Sequence, residues 1–252
     1  MRELREKTVV VTDLATDTGR AVAEAAAKAG ANVAGLNLPD STAASEVRQR
    51  IEQAGQTALF VEGSASDADQ LVAFSNHTLE RFGKIDIWVN SPGCTLYKPF
   101  LETTLDDWTS TVYANFAKCL FGCQTAIKAM LPRGEGVIVN ISAINAPEPI
   151  ANLAIYFAAK GAISHLTQAL AAEFGPQGIK VNSIALGAVD PAVAAAACTR
   201  IPTRAVPKAD EIANGVVFLA SPASHYVNGH ELVVEAGLIP GECLTYALTA
   251  AE

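Results

Sequence analysis

Charge is scarce in this chain of 252 residues. Only 17% of them are Asp, Glu, Lys or Arg, and the basic side is the poorer one, with 18 Lys and Arg against 26 Asp and Glu. The formal net charge of −8 repels phosphate backbones and anionic bilayers alike, which argues against nucleic acid and membrane surfaces as partners. No apolar run approaches the ~20 residues that a membrane-spanning helix needs. The opening segment Met1–Lys7 is charged and has no apolar h-region, so no signal peptide is expected. Cysteine is sparse and odd in number, at 94, 119, 123, 198 and 243. With no secretion signal this reads as free thiols in a reducing compartment, and a cytoplasmic protein is expected. Cys119 and Cys123 share a helical spacing, but two thiols fall short of the four ligands that zinc takes, so packing is the reading and no metal is expected.

Half of the residues are hydrophobic, enough for a full core, and the length suits one large domain over residues 1–252. Short β-branched runs alternate with longer Ala-rich stretches. Lys7–Thr12, Asn32–Asn37, Thr57–Val61, Ile85–Asn90, Gly136–Ser142, Ile179–Ala185 and Glu231–Glu235 read as strands. Thr18–Ala29, Ser41–Ala54, Asp67–Phe82, Leu105–Met130, Leu153–Phe174 and Lys208–Ala220 read as helices, several closed by a glycine such as Gly30, Gly55 or Gly83. The strands are near-continuous apolar runs, the mark of a parallel sheet covered on both faces. The fold class is therefore α/β, a Rossmann-type doubly wound sheet of about seven strands, whose site lies at the carboxyl ends of the strands.

Tyr156 and Lys160 are four apart in a helical segment, which stacks their side chains on one face. A phenol near a cation is expected to have its pKa lowered from ~10 and to exchange a proton with a substrate oxygen. Ser142 ends the fifth strand, where its hydroxyl could hold the same oxygen, and Asn115 could anchor a water behind the lysine. Taken singly, each residue is as well explained by packing; the order and spacing of the four together make the case.

These residues carry a resemblance to the short-chain dehydrogenase/reductase family over nearly the whole length. Ser142, Tyr156 and Lys160 match its Ser…Tyr-x3-Lys, and Asn115 its helix-borne Asn. Asn90-Ser91-Pro92-Gly93 stands in place of its Asn-Asn-Ala-Gly, Val181–Ile184 followed by Gly187 matches its sixth strand, and Ala209–Ser221 its last long helix. The resemblance implies a ketoreductase or alcohol dehydrogenase in which Tyr156 is the general acid/base, Ser142 orients the carbonyl and Lys160 also holds the nicotinamide ribose. It implies NADP or NAD lying against Thr12, Thr18, Gly19, Asn37, Ser64, Asn90, Gly93, Lys160, Gly187 and Val189, and a homotetramer or homodimer paired through the two long helices. The apolar, small-residue stretch from Ala188 to Pro207 falls where that family has its substrate lid, which suggests an uncharged substrate.

The nucleotide side departs from the pattern. The family's Thr-Gly-x3-Gly-x-Gly reads Thr12-Asp13-Leu14-Ala15-Thr16-Asp17-Thr18-Gly19 here. A carboxylate at Asp17 beside a pyrophosphate, ~5 Å away at an effective dielectric near 20, costs roughly 3 kcal/mol, on the order of a hundredfold in affinity. Asn37 selects neither NAD nor NADP, Ser64 stands near the place of an Asp that meets adenine, and Leu186 and Pro191 replace a Pro and a Thr. Dinucleotide binding is therefore expected to be weakened or lost. Two alternatives to redox chemistry stay open. One is acid/base catalysis without nicotinamide, as in halohydrin dehalogenases, whose Arg this chain replaces with Lys160. The other is a scaffold that keeps the fold only.

Overall fold

Alternation decides where each strand residue goes. In β1 (Thr8–Val11), Val9 and Val11 enter one apolar core while Val10 enters the other. In β4 (Ile87–Asn90), Ile87 and Val89 face the first core and Trp88 the second. A strand with an apolar residue at every position can be satisfied only by helices on both faces. The computed structural model shows that arrangement; it describes residues 3–36, 42–91, 93–143, 151–187, 201–203 and 208–236.

Among these residues the strands are β1, β2 (Asn32–Leu36), β3 (Ala58–Val61), β4, β5 (Gly136–Ala143), β6 (Ile179–Leu186) and β7 (Glu231–Val234). They form a single sheet in the order β3-β2-β1-β4-β5-β6-β7, with every neighbouring pair parallel. The helices are α1 (Asp17–Lys28), α2 (Thr42–Gln53), α3 (Ala68–Phe82), α4 (Leu105–Val112), α5 (Lys118–Met130), α6 (Ala154–Phe174) and α7 (Ala209–Ala220). The chain order reverses between β1 and β4, and the crevice above their carboxyl ends is where such a sheet takes a ligand.

Two local features shape the elements around the crevice. The stretch Leu105–Met130, expected as one helix, is interrupted by a π-helical turn at Tyr113–Ala117, and such wide turns accompany functional sites. The second concerns β2. A β-carbon on Gly35 would stand 2.0 Å from Leu14 Cδ1. Leu14, fully buried in the loop after β1, fills the space that a larger residue at 35 would occupy.

Candidate functional site

The turn from β1 into α1 is held together by side chains where the family pattern has glycines. Thr16 is the N-cap of α1 and accepts the Gly19 N–H at 3.0 Å. The Asp13 carboxylate accepts the Ala15 N–H at 3.0 Å and lies 3.7 Å from Lys118 Nζ. Arg20 folds back over the turn, donating to the carbonyls of Leu14 at 3.1 Å and Ala15 at 2.7 Å and pairing with Asp17. Gly19 survives for a steric reason: a β-carbon there would stand 1.8 Å from the Asp13 carbonyl oxygen. The expected penalty from a bare Asp17 carboxylate is corrected by this geometry. The side chain is 86% exposed and ion-paired, so solvent and Arg20 offset most of its charge.

Tyr156 and Lys160 lie on one face of α6, with Lys160 Nζ 5.6 Å from the phenol ring centroid. Lys160 is 2% exposed and donates to the Ile141 carbonyl at 3.4 Å. Burial pulls its pKa down to about 8, because a cation loses hydration there. The phenol goes the other way. Its pKa is raised, first by burial and also by Cys94, against a hydrogen bond from Thr95 that lowers it. The expectation of an acidified phenol is thus reversed. Lys160 Nζ lies over the ring and donates to the strand backbone, and desolvation of the phenol oxygen outweighs the lowering influence of Thr95.

Ser142 is not brought to the phenol. It is 1% exposed, donates to the Lys160 carbonyl at 3.2 Å and sits 3.4 Å from Ser164 Oγ, both on α6. A hydroxyl so enclosed is closed to a substrate oxygen, and the expected role in orienting a carbonyl is corrected to one of strand–helix packing. Asn115, in the π turn and fully buried, donates to the carbonyls of Cys94 at 2.8 Å and Thr111 at 2.9 Å and accepts the Cys94 N–H at 3.5 Å. Both amide hydrogens are spent on backbone, so the side chain clamps the loop after β4 where a water anchor was expected.

Several expected cofactor contacts belong to the framework. Asn90 is 1% exposed; its amide donates to Asn140 at 2.8 Å and to Cys123 Sγ at 3.3 Å, while its oxygen accepts the Trp88 indole N–H at 2.9 Å. Its side chain therefore points between β4, β5 and α5, away from the crevice. Thr12 is buried and accepts the Ser91 N–H at 3.2 Å. Ser64 accepts the Ser66 N–H at 3.2 Å, and the Gly187 N–H donates to Val234 at 3.0 Å. Thr18 is half-buried in the first turn of α1, and Gly93 is exposed with open space beside it. Asn37, Val189, Pro191 and most of the expected lid lie outside the described residues.

Three residues carry more of the site than the sequence reading assigned them. Thr95 restrains the upward shift of the phenol pKa, Arg20 braces the turn, and Lys118 answers Asp13. Asp17 and Arg20 are three apart on a helix, so that pair was legible; the other two are set by distant chain and had no local signal. Cys94, Cys119 and Cys123 are free thiols. Hydrogen bonding with Cys123, then burial, keeps the Cys119 thiol well above its usual pKa. No cluster of three or more potential metal ligands exists among the described residues.

A family profile described as Enoyl-(Acyl carrier protein) reductase matches residues 15–239. A 3beta-hydroxysteroid dehydrogenase 1 of Eggerthella lenta is 33% identical over 252 aligned residues, covering 95% of this chain and 97% of that one. A D-threitol dehydrogenase of Mycolicibacterium smegmatis is 35% identical, covering 92% of each chain. Among solved structures, a dehydrogenase/reductase from Sinorhizobium meliloti 1021 superposes with a TM-score of 0.87 at 31% identity, covering 94% of this chain and 96% of that one.

Proposed function

The chain belongs to the short-chain dehydrogenase/reductase family, whose members use NAD(P), and we propose that it interconverts a carbonyl and an alcohol on a small uncharged or apolar substrate. The observation that carries this reading is the pairing of Tyr156 with the buried Lys160 on one helix face beside the carboxyl end of β5. The named relatives are dehydrogenases, so acid/base chemistry without nicotinamide is not favoured.

The residues present fit a dinucleotide. Each carboxylate of the β1–α1 turn has its own cation, Lys118 for Asp13 and Arg20 for Asp17, and the α1 N-terminus keeps the polarity that favours a pyrophosphate. Thr18 and Gly19 would meet that group, Ser64 would lie on the adenine side, and Lys160 would donate to the ribose hydroxyls. When bound, the nicotinamide would supply hydride to a carbonyl carbon or accept it from an alcohol carbon. Tyr156 supplies the proton that the oxygen takes up on reduction and removes it on oxidation. A raised phenol pKa keeps that proton in place at neutral pH, which suits the reductive direction. Lys160, largely charged at neutral pH with a pKa of about 8, lowers the cost of the phenolate left behind.

An uncharged substrate is supported by the segment that borders the phenol, Gly93-Cys94-Thr95-Leu96-Tyr97, which carries no charged side chain. The free thiols suit a reducing cytoplasm. A homodimer or homotetramer is supported by the groove between α5 and α6, lined by Leu120, Ile127, Leu166, Leu170 and Phe174. Calorimetry with NADH and NADPH, followed by absorbance at 340 nm with a panel of ketones, tests the reading. Saturable binding of one dinucleotide and its oxidation by a ketone are expected; no affinity at millimolar nucleotide would overturn the reading.

A further inference from the structure

The long helix that carries Tyr156 and Lys160 is tied to the sheet side of the fold by directional bonds. Ser142 donates to the Lys160 carbonyl at 3.2 Å, the Ser164 hydroxyl donates to the Glu231 carboxylate, Asn140 donates to Thr167 at 2.9 Å, and Asn228 donates to the Ala171 carbonyl at 3.2 Å. Positions 160, 164, 167 and 171 follow the spacing of one helix face. Apolar packing alone lets a helix slide or turn, whereas hydrogen bonds at fixed points set its rotation. Of these four ties, only the one at Ser164 uses a charged acceptor. Glu231 opens β7 opposite Ser183 on β6. One of its oxygens, Oε1, accepts from both Ser164 and Ser183, the latter at 3.2 Å.

The carboxylate decides where a hydrogen goes. A serine hydroxyl has one hydrogen, and Ser164 Oγ lies 3.4 Å from the Lys160 carbonyl, four residues back on its own helix, as well as beside Glu231. The charged oxygen is the stronger acceptor, so the Lys160 carbonyl is left to Ser142. Without Glu231 the Ser164 hydroxyl would turn back on that carbonyl, a contact that bends helices, and would compete with the bond from β5. Resting on the redox reading above, we propose that Glu231 is the positioning residue for Lys160, holding through Ser164 the rotation of α6 that seats the ammonium beside the phenol. The place of Lys160 Nζ, 5.6 Å from the ring centroid and 3.4 Å from the Ile141 carbonyl, depends on that rotation. No bond is made or broken at Glu231. Because both hydroxyls meet the same oxygen, an amide oxygen at position 231 can serve in its place.

Four variants test this: Glu231→Leu, Glu231→Gln, Ser164→Ala and Asn228→Ala, each checked for an unchanged circular dichroism spectrum. Glu231→Leu is expected to lower kcat on the order of tenfold, the scale of a small misplacement of a reacting group, with the KM for the ketone within about twofold. Ser164→Ala is expected to lower kcat about fivefold, and the double variant to be no worse than Glu231→Leu, as members of one network behave. Glu231→Gln should regain most of the lost rate. A second readout needs no turnover: the rise of stability between pH 8 and 10 in urea unfolding, taking the component that Lys160→Met removes. It is expected to fall by about half in Glu231→Leu and Ser164→Ala and to return in Glu231→Gln. Asn228→Ala, which unties the far end of α6, should lose stability with kcat and pH slope unchanged. Parental kcat and pH slope in Glu231→Leu, or the same losses in Asn228→Ala, would overturn the proposal; should Glu231→Leu not fold, parental values in Ser164→Ala do so. If the parent protein oxidises no dinucleotide the redox reading fails on its own, and the pH slope still decides whether Glu231 seats Lys160.

Discussion

At the scale of single residues, Tyr156 and Lys160 pull each other less than their spacing suggests. Four residues on a helix bring two side chains together, and that was legible; the direction of the phenol shift was not, because it depends on burial supplied by the rest of the chain. Tyr156→Phe is expected to lower kcat by roughly 10²- to 10⁴-fold, the usual worth of a general acid, with the melting temperature little changed. Lys160 gives a pH signature. Its folded pKa of about 8 lies below the ordinary 10.5, so between those values the unfolded chain holds more protons. Stability therefore gains a contribution as pH rises from about 8 towards 10, about 3 kcal/mol at most. Urea titrations at several pH values should show that gain in the parent and not in Lys160→Met; equal pH slopes would contradict it. The misreading of Ser142 also has a residue-scale cause. Asn140 and Ser142 are two apart on β5 and share a face, and Asn140 already reaches α6 through Thr167 at 2.9 Å, so the serine is turned the same way.

At the scale of elements, α1 and the turn before it show how a helix start can lose its glycines and stay in shape. The lost contacts are taken over by Thr16, Asp13 and Arg20. The helix itself was legible from its Ala-rich run and from Gly30; the brace was not, because an arginine one residue past a glycine is ordinary surface chemistry until the fold turns it inward. Asp17→Gly releases Arg20 from its ion pair and leaves a cation at the helix start. Dinucleotide affinity is expected to rise by about fivefold, the scale of one exposed pair, measured by calorimetry; a loss of affinity would mean that the Asp17–Arg20 pair, not the cation, shapes the turn. The split of Leu105–Met130 into α4, a π turn and α5 left no trace in the hydrophobic pattern, since one extra residue in a turn changes the phase too little to see.

At the scale of the molecule, stability and chemistry sit at opposite ends of the sheet. At the amino edge, Asp86 accepts the Thr8 N–H at 2.9 Å and meets Lys7, Lys84 and Arg133 at 3.2–3.3 Å. Burial alone would raise its pKa; the N–H and the cations outweigh it and hold it below the usual value. This contribution is present above the unfolded pKa near ~4 and is lost as pH falls through the lower folded one. Asp86→Ala is expected to cost about 3 kcal/mol in urea unfolding at neutral pH, with dinucleotide affinity unchanged; a matching loss of affinity would show that the two ends are coupled. The doubly wound class was readable because the strands are near-continuous apolar runs that alternate with helices. The assignment of Asn90 to the crevice failed because its network with Trp88, Asn140 and Cys123 joins three segments far apart in the chain.

Leu14 and Gly35 carry a consequence for descent. Shrinking the leucine first leaves a void, and enlarging the glycine first meets a methyl already in residence, so each single step away from the pair is penalised. Lineages that branch from this sequence should pass the two residues on together, and any that revert at one should show the reciprocal exchange at the other.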